Sequence, residues 1–292
     1  MATVAQWVEG ARPRTLPAAV SPVLVGAGAA WYASGQVSWL VAVGCLLVSL
    51  ALQVGVNYAN DYSDGIRGTD ADRVGPMRLV GSGAARPRQV KLAAFGCFAV
   101  AAAAGLGIVV SSGQWWMLLV GLGCILAAWY YTGGKHPYGY AGLGEVMVFV
   151  CFGLVAVLGT TWVLAGRATW AAVAGAVAIG AVSCAVLVAN NLRDLEGDRE
   201  AGKMTLAVRL GDRGTRWFYL ALVLVAAVSV ALAGLGTSWA LLGLLGVAAL
   251  ASPTRTVLGG ARGPALIPVL KSTGLSGLLV AAGLSAGWVL GS

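Results

Sequence analysis

Two clusters of amide and carboxylate side chains lie far apart in this sequence, each at the end of a long apolar segment. In the first cluster, Asn57, Asn60, Asp61 and Asp64 fall at positions i, i+3, i+4 and i+7, and in the second, Asn190, Asp194 and Asp198 fall at i, i+4 and i+8. Such intervals place side chains on one stripe of an α-helix. Magnesium is usually held by one or two carboxylates together with substrate phosphates. Two such stripes facing each other predict a site for a divalent metal and a diphosphate.

Basic side chains beside the two clusters fit the same chemistry. Arg67 follows the first cluster, and Arg193 and Lys203 accompany the second. Guanidinium and ammonium groups pair with phosphate oxygens, and the amides of Asn57 and Asn190 can donate to phosphate or orient ligands. A plainer interpretation is that the acids cap helices and form salt bridges at a membrane surface. One stripe alone leaves that interpretation open, whereas two stripes favour the metal and diphosphate site.

The elements that position these clusters are predicted to be membrane-spanning helices. Of the 292 residues, 59% are hydrophobic and 10% are charged, and the mean hydropathy is +0.83, which is too apolar for a soluble domain. The apolar runs are continuous and approach the roughly 20 residues that a helix needs to cross a bilayer, so a β-barrel is not expected. We predict an all-α integral membrane protein with nine spans, at residues 16–34, 38–58, 89–111, 114–132, 143–165, 169–191, 215–235, 237–252 and 272–290.

The distribution of charge predicts how these spans are oriented. With nine spans, all 11 acids and all but one of the 19 basic residues fall on the side of the N-terminus, and the exception is Arg167. The positive-inside rule then places the N-terminus and both clusters in the cytoplasm and the C-terminus outside the cell membrane. Anionic lipid and a phosphorylated substrate account for the net charge of +8. Nucleic acid binding is not expected, because the basic residues lie in short loops.

The chain is expected to form a single membrane domain over residues 1–292. Two polar loops, at about residues 59–88 and 192–214, each follow one of the clusters and are expected to cap the bundle on the cytoplasmic side. The five cysteines lie in apolar segments without CxxC spacing, which is typical of small core residues.

A third cluster, rich in tyrosine and glycine, forms the predicted turn at residues 130–145. Its Tyr131 and Tyr138, with Tyr62 of the first loop, could anchor the chain at the membrane interface or line a cavity over a cationic intermediate. Glu145 borders the hydrocarbon directly, and an acid in that position is a candidate functional residue.

At these residues the chain resembles the UbiA superfamily of intramembrane aromatic prenyltransferases. The superfamily has two aspartate-rich motifs, NDxxDxxxD and DxxxD. The first reads here as Asn60-Asp61-Tyr-Ser-Asp64 and the second as Asp194-Leu-Glu-Gly-Asp198. Gly68 stands where the third acid of the first motif is expected, and Asp70 follows two residues later as a displaced candidate metal ligand.

Within the superfamily, the chain is most similar to the bacterial branch that prenylates 1,4-dihydroxy-2-naphthoate in menaquinone biosynthesis. The stretches that carry this resemblance span nearly the whole chain, at residues 12–17, 57–78, 131–145 and 189–209. The resemblance implies nine transmembrane helices around a central cavity with a lateral opening for the prenyl tail. It also implies transfer of a polyprenyl group from polyprenyl diphosphate to the naphthoate, with loss of diphosphate and CO2.

The same resemblance implies roles for the candidate residues. Two Mg²⁺ ions are expected between the two motifs, where Arg67, Arg193 and Lys203 would help them to stabilise the diphosphate leaving group. The acceptor is an anion, so we expect its carboxylate to be held by a base, and the candidates are Arg12, Arg14 and Lys135. The three tyrosines would stabilise the allylic cation, and Glu145 would help to deprotonate a phenol.

Other functions fit parts of the sequence. A UbiA-type transferase could use another acceptor, such as 4-hydroxybenzoate or a phosphosugar. A CDP-alcohol phosphotransferase also needs acids and a metal, but its acids form one continuous motif, whereas here they lie on distant helices. A transporter would place its charged residues near the middle of the bilayer, whereas here they collect at one face.

Overall fold

The computed structural model describes residues 2–68 and 77–292, and within these ranges the chain forms helices and no strand. The α-helices in chain order are α1 Val4–Gly10, α2 Pro17–Ser34, α3 Trp39–Arg67, α4 Pro87–Ser112, α5 Met117–Tyr130, α6 Gly144–Val148, α7 Gly159–Ala165, α8 Trp170–Arg193, α9 Leu195–Glu200, α10 Leu206–Ala233, α11 Gly243–Ala249, α12 Ala251–Leu258 and α13 Ile267–Leu290. Short 3₁₀ turns join several of them, and Phe149–Leu158 forms a π-helix between α6 and α7.

Seven helical segments of the described chain are each long and apolar enough to cross a membrane. The count reaches eight if the bent pair Val4–Thr15 and Pro17–Ser34, which meet at 49°, forms one span. Each of the nine predicted spans overlaps a helix, but α5 has only 14 residues, fewer than the roughly 20 that a span requires. The membrane-type helical fold is confirmed, and the count of nine spans stays a prediction.

Large apolar side chains cover the outside of the bundle. Leu40 is 84% exposed, Leu119 is 75% exposed and Leu245 is 70% exposed, each on a different long segment. A soluble protein rarely exposes so much contiguous apolar surface. This surface fits contact with lipid chains.

Helix α8 occupies the middle of the bundle and carries the second cluster at its end. It begins after Thr169, whose hydroxyl accepts a hydrogen bond from the Ala172 amide at 3.2 Å. Most of its residues are alanine, glycine or valine, and 72% of its most apolar stretch is buried. Small side chains allow close approach of neighbouring backbones: an added methyl group at Gly175 would lie 2.6 Å from Val25 and 2.9 Å from Trp288. The packing therefore holds Asn190 at a fixed place.

Helix α3 carries the first cluster and packs along α4. It begins after Ser38, which caps the Val41 amide, and it ends at Gly68, whose φ of 71° only glycine adopts easily. The helix runs without interruption for 29 residues. Its last three turns bring the amide and carboxylate side chains to the end of the bundle.

The second cluster departs from the single helical stripe that the sequence predicts. Helix α8 ends at Arg193 and α9 begins at Leu195, so the chain bends at Asp194, where φ is −95° and ψ is 7°. The bend falls where the chain leaves the packed apolar span and enters a charged segment. The Asp198 amide still donates to the Asp194 carbonyl at 2.8 Å, so one turn of helical hydrogen bonding survives.

Candidate active site

A cavity of about 1110 Å³ extends through much of the bundle. Its polar end lies where α3 and α8 end, and it continues to Val109 and Met117, near the opposite ends of α4 and α5. Side chains along its body are mostly apolar, including Val48, Leu52, Leu106, Leu122, Phe152 and Val155. A cavity with a charged end and a long apolar body fits a ligand that has a charged head and a hydrocarbon tail.

Basic side chains outnumber acidic ones among the described residues that line this cavity. The lining bases are Arg12, Arg14, Arg78, Arg193, Lys203 and Lys271, and the lining acids are Glu9, Asp64 and Asp198. An excess of positive charge in a cleft with low-dielectric walls attracts anions. The cavity is therefore suited to a multiply charged anion such as a diphosphate.

Asp64 is the carboxylate on which contacts at the charged end converge. One oxygen accepts a hydrogen bond from the Tyr140 hydroxyl and lies 3.7 Å from Lys203 Nζ, while the other lies 3.6 Å from a guanidinium nitrogen of Arg78. Asp64 is 3% exposed, and both basic partners are also buried. Among the described residues, two basic side chains therefore surround one carboxylate, and their excess positive charge favours a bound anion.

The amides of the first cluster hold neighbouring segments around the cavity. Asn60 Oδ1 accepts from the Thr132 hydroxyl at 2.8 Å. Asn57 Nδ2 donates to the Ala11 carbonyl at 2.9 Å and to Thr15 Oγ1 at 3.0 Å. Both amides line the cavity, and together they connect α3 with the α5–α6 turn and with the N-terminal segment.

Asp61 lies on the side of α3 that faces the following loop. Its two oxygens accept the backbone N–H groups of Leu79 at 2.7 Å and Val80 at 2.9 Å. The residue is 1% exposed and does not line the cavity. These contacts make Asp61 the anchor of the loop at residues 77–85, and its role as a metal ligand stays a prediction. Asp70 falls outside the described residues.

The second cluster also divides its carboxylates between two environments. Arg193 forms a two-pronged ion pair with Asp194, with both N–O distances at 2.7 Å, and donates to Asn190 Oδ1 at 2.9 Å. Arg193, Asn190 and Asp198 line the cavity, whereas Asp194 does not. Asp194 therefore fixes the orientation of the Arg193 guanidinium, and Asp198 is the acid of this cluster at the cavity wall.

Tyr140 is a central residue that the sequence did not single out. Its hydroxyl binds Asp64, Lys203 Nζ lies 4.7 Å from the centre of its ring, and the Arg67 guanidinium carbon lies 5.5 Å from it. Cations at these distances interact favourably with the ring. The only sequence signal for Tyr140 is its place in the third cluster. That cluster contains several tyrosines, and neither spacing nor residue type distinguishes Tyr140 from the others.

Two predicted phosphate or acceptor ligands lie outside the cavity. Arg67 is exposed, and its guanidinium donates to the carbonyl oxygens of Thr132 and Gly134. Lys135 is exposed on the same turn. These contacts fasten the turn to α3, and the role of Arg67 in binding the diphosphate stays a prediction.

Tyr62 also lies away from the cavity lining. Its ring stacks against Trp129 with the ring centres 6.1 Å apart, and Lys91 Nζ lies 5.6 Å from the Tyr62 ring centre. Tyr131 and Tyr138 do line the cavity, with ring centres 5.5 Å apart. Of the three tyrosines, two therefore line the cavity, and their role in stabilising a cation stays a prediction.

Glu145 is buried next to the cavity without lining it. Its Oε1 accepts the Nδ2 group of Asn191 at 2.9 Å, and Asn191 lines the cavity. Glu145 therefore positions an amide that can contact a ligand. Deprotonation of a phenol by Glu145 stays a prediction.

The N-terminal segment closes the polar end of the cavity. Arg12 and Arg14 both line it. Arg12 has a φ of 55°, which makes it the one residue other than glycine with a positive φ in the described part of the chain. That conformation costs about 1–2 kcal/mol, and such strain often marks residues with a functional role. Both arginines remain candidates for binding an acidic acceptor.

The donor set fits a magnesium ion that arrives with a phosphate. Within residues 2–68 and 77–292, no group of three or more His, Cys, Asp and Glu side chains is arranged to hold a metal ion. Asp64, Asp198, Asn60 and Asn190 supply carboxylate and amide oxygens at the cavity wall. Magnesium takes such oxygens and commonly completes its shell with substrate phosphates.

Comparison with known proteins agrees with this geometry. A model described as the UbiA prenyltransferase family matches residues 19–260. The chain is 53% identical over 291 residues, covering 100% of this chain and 99% of the other, to a Mycobacterium tuberculosis protein named 1,4-dihydroxy-2-naphthoate octaprenyltransferase. It is 38% identical to the Escherichia coli protein of the same name over 77% of this chain and 75% of that one.

Solved structures share the fold. A UbiA homologue from Archaeoglobus fulgidus, bound to GPP and Mg²⁺, superposes with a TM-score of 0.70 at 17% identity over 96% of this chain and 99% of that one. A UbiA homologue from Aeropyrum pernix superposes with a TM-score of 0.67 at 18% identity over 91% of this chain and 96% of that one. The helical fold, the family match over most of the sequence and the full-length similarity to relatives agree: the chain belongs to the UbiA prenyltransferase family.

Proposed function

We propose that this protein transfers a polyprenyl group from polyprenyl diphosphate to 1,4-dihydroxy-2-naphthoate, releasing diphosphate and CO2. The observation that carries this proposal is the 53% identity over the full chain to the M. tuberculosis octaprenyltransferase. The cavity supports it independently, because it joins a positively charged end to a long apolar body. The product is the hydroquinone form of demethylmenaquinone, an intermediate of menaquinone biosynthesis.

The diphosphate would bind at the charged end of the cavity. Lys203 and Arg78 approach it from the two sides of Asp64, and Arg193 approaches from α8. Mg²⁺ ions, of which we propose two, would be held by Asp64 with Asn60 and by Asp198 with Asn190. When bound, they neutralise the charge that develops on the leaving diphosphate.

The protein contributes orientation and electrostatic stabilisation to the reaction. The allylic C–O bond breaks, and its electron pair leaves with the diphosphate near Lys203, Arg78 and Arg193. The rings of Tyr131 and Tyr138 line the cavity where they can face the allylic cation. The ring carbon that bears the carboxylate forms the new C–C bond. Loss of CO2 then returns the bonding pair to the ring and restores its aromaticity.

Arg12 is the basic residue that we propose to bind the acceptor carboxylate. It lines the cavity and is held in a strained conformation, whereas Arg14 is more exposed and would assist. An arginine fork binds a planar carboxylate through two parallel hydrogen bonds. The arrangement would leave the ring of the acceptor pointing towards the apolar body of the cavity.

The charged end of the cavity is proposed to face the cytoplasm. The positive-inside rule supports this orientation, because all but one of the 19 basic residues belong to loops on that side in the nine-span topology. The cell membrane is the proposed location, with the C-terminus outside and the polar loops at residues 59–88 and 192–214 capping the cavity. A single prenyltransferase domain over residues 1–292 is proposed on the same basis.

Product analysis with competing acceptors tests the proposed function. Membranes containing the protein are incubated with octaprenyl diphosphate, Mg²⁺ and equal concentrations of 1,4-dihydroxy-2-naphthoate and 4-hydroxybenzoate, and the prenylated products are identified by mass spectrometry. We expect only the decarboxylated naphthohydroquinone. Asp64→Asn provides a control with strongly reduced turnover, and Glu196→Gln, which changes an exposed acid next to the second cluster, provides a matched active control. Prenylated 4-hydroxybenzoate as the main product would overturn the proposed acceptor.

A further inference from the structure

A hydroxyl group of the N-terminal segment organises two amides of α3. Thr15 Oγ1 donates its hydrogen to the Arg12 carbonyl at 2.9 Å. A hydroxyl has one hydrogen to donate, so its remaining contacts must be ones in which the oxygen accepts. The same oxygen lies 2.9 Å from Gln53 Nε2 and 3.0 Å from Asn57 Nδ2. Both side chains must therefore present their NH2 groups to Thr15.

This network fixes the orientation of the Gln53 amide. Its NH2 group contacts Thr15 Oγ1 and, at 3.5 Å, Asn57 Oδ1. The carbonyl oxygen Oε1 must then point away from Thr15. Turning the amide over would bring a carbonyl oxygen to a hydroxyl oxygen that has no hydrogen left to share. The orientation is thus determined by hydrogen bonding and not by the shape of the amide alone.

Gln53 lines the cavity, and its carbonyl oxygen is buried and has no hydrogen-bond partner among the described residues. Gln53 is 7% exposed. Leaving a buried acceptor unpaired carries a penalty, and such groups are uncommon in folded proteins. Ser49, one turn deeper on α3, also lines the cavity, but its hydroxyl already donates to the Ala19 carbonyl at 2.8 Å.

We propose that Gln53 Oε1 accepts a hydrogen bond from a hydroxyl group of the aromatic acceptor. The proposal rests on the proposed function, because it assigns a contact to the acceptor of that reaction. Gln53 lies one helical turn deeper on α3 than Asn57, and Thr15 links it to the backbone of Arg12. An acceptor whose carboxylate binds Arg12 at the polar end of the cavity would direct its ring towards Gln53.

The chemistry of the acceptor identifies which hydroxyl is involved. In 1,4-dihydroxy-2-naphthoate the 1-hydroxyl is adjacent to the carboxylate and donates to it within the molecule. The 4-hydroxyl has no internal partner and is free to donate to the protein. Gln53 therefore recognises the 4-hydroxyl, and the contact places electron density on the ring that attacks the prenyl cation.

Inhibition by three naphthoates tests this contact. The inhibition constants of 2-naphthoate, 1-hydroxy-2-naphthoate and 4-hydroxy-2-naphthoate against 1,4-dihydroxy-2-naphthoate are measured for the wild type, Gln53→Met and Ser49→Ala. A neutral hydrogen bond that relieves an unpaired buried acceptor corresponds to about a tenfold change in affinity. We expect 4-hydroxy-2-naphthoate to bind the wild type and Ser49→Ala about tenfold more tightly than 2-naphthoate, and this preference to disappear in Gln53→Met.

Several results would overturn the inference. A wild type that binds 2-naphthoate and 4-hydroxy-2-naphthoate equally well contradicts it without any variant. A preference for the 4-hydroxyl that survives in Gln53→Met, or an equal loss for all three ligands, contradicts it as well, since the second pattern indicates a purely structural role. The KM for the prenyl diphosphate checks that Gln53→Met is folded. A wild type that prenylates no naphthoate would instead refute the proposed function.

Discussion

Asp61 and Asp64 are separated by one helical turn, and their contacts predict that the same substitution damages the protein in two different ways. Asp61 binds two backbone amides of the loop at residues 77–85, whereas Asp64 lines the cavity among Arg78, Lys203 and Tyr140. Asp61→Asn should release the loop. Asp64→Asn should impair the binding of metal and diphosphate.

The expected size of the first effect follows from the two hydrogen bonds of Asp61. Each bond to the carboxylate contributes about 1.5–3 kcal/mol. Asparagine keeps one carbonyl oxygen but turns an NH2 group towards the second backbone N–H, so about 3 kcal/mol should be lost. That loss shifts the ratio of closed to open loop by about a hundredfold.

The effect at Asp64 has a different cause. The neutral amide of Asp64→Asn would take one negative charge away from the buried Arg78 and Lys203, and the substitution would remove a carboxylate that can bind Mg²⁺. Removing such a group from the charge-stabilising site should lower turnover by about a hundredfold or more. The Mg²⁺ concentration needed for half-maximal activity should rise.

Two measurements separate the variants. Tryptic cleavage after the buried Arg78, followed by mass spectrometry, reports release of the loop, and a Mg²⁺ titration of prenyl transfer reports metal binding. Asp61→Asn should accelerate the cleavage with little change in the Mg²⁺ midpoint, and Asp64→Asn should raise the midpoint. If Asp61→Asn raises the Mg²⁺ midpoint as much as Asp64→Asn while the loop stays protected, Asp61 is a metal ligand and the reasoning is refuted.

Three further predictions concern other contacts. Tyr140→Phe removes a donor to a buried carboxylate and should lower kcat/KM for the prenyl diphosphate by about tenfold; steady-state kinetics with an unchanged value would contradict this. Glu145→Gln keeps an oxygen that can accept from Asn191, so its turnover should stay within about threefold of the wild type, a difference below about 1 kcal/mol. Glu145→Ala lacks that oxygen and should lose more turnover. Complete inactivity of Glu145→Gln would instead support a proton-transfer role. An added methyl group at Gly246 would lie 2.2 Å from a backbone nitrogen of α13, and Gly274 has open space. Gly246→Val should therefore lower the thermal unfolding temperature, through about 1–3 kcal/mol of overpacking, by more than Gly274→Val does.

The helical membrane fold could be predicted from composition and from the length of apolar runs. Each predicted span overlaps a helix, because the backbone of an apolar segment in lipid must satisfy its own hydrogen bonds. The bend at Asp194 could not be predicted, since the spacing of Asn190 and Asp198 fits a continuous helix equally well. It separates Asp194, paired with Arg193, from the cavity-lining Asp198.

The sequence also could not predict which residues of the first cluster face the cavity and which face the loop. Helical spacing places Asn60 and Asp61 only about 100° apart around the helix axis, which is too little to tell the cavity side from the loop side. That distinction depends on where residues 77–85 return to α3. Arg67 shows the same limit, because its place beside an acidic cluster does not reveal that its guanidinium donates to two backbone carbonyl oxygens.

The unpaired oxygen of Gln53 illustrates what only the folded structure reveals. A glutamine in an apolar span is a visible oddity in sequence, but its significance depends on Thr15, which is distant along the chain and holds the NH2 group at 2.9 Å. Gln53 becomes a candidate substrate contact because its carbonyl oxygen is buried without a hydrogen-bond partner among the described residues.

The stoichiometry of the two released products tests the central claim most directly. The protein is mixed with octaprenyl diphosphate and carboxyl-labelled 1,4-dihydroxy-2-naphthoate, and released CO2 and diphosphate are quantified together, with Mg²⁺ and with excess EDTA. The predicted result is equal amounts of both products, abolished by excess EDTA and lowered about a hundredfold or more by Asp64→Asn. Diphosphate release without CO2, or undiminished turnover in EDTA, would contradict a metal-assisted decarboxylating prenyl transfer in this cavity.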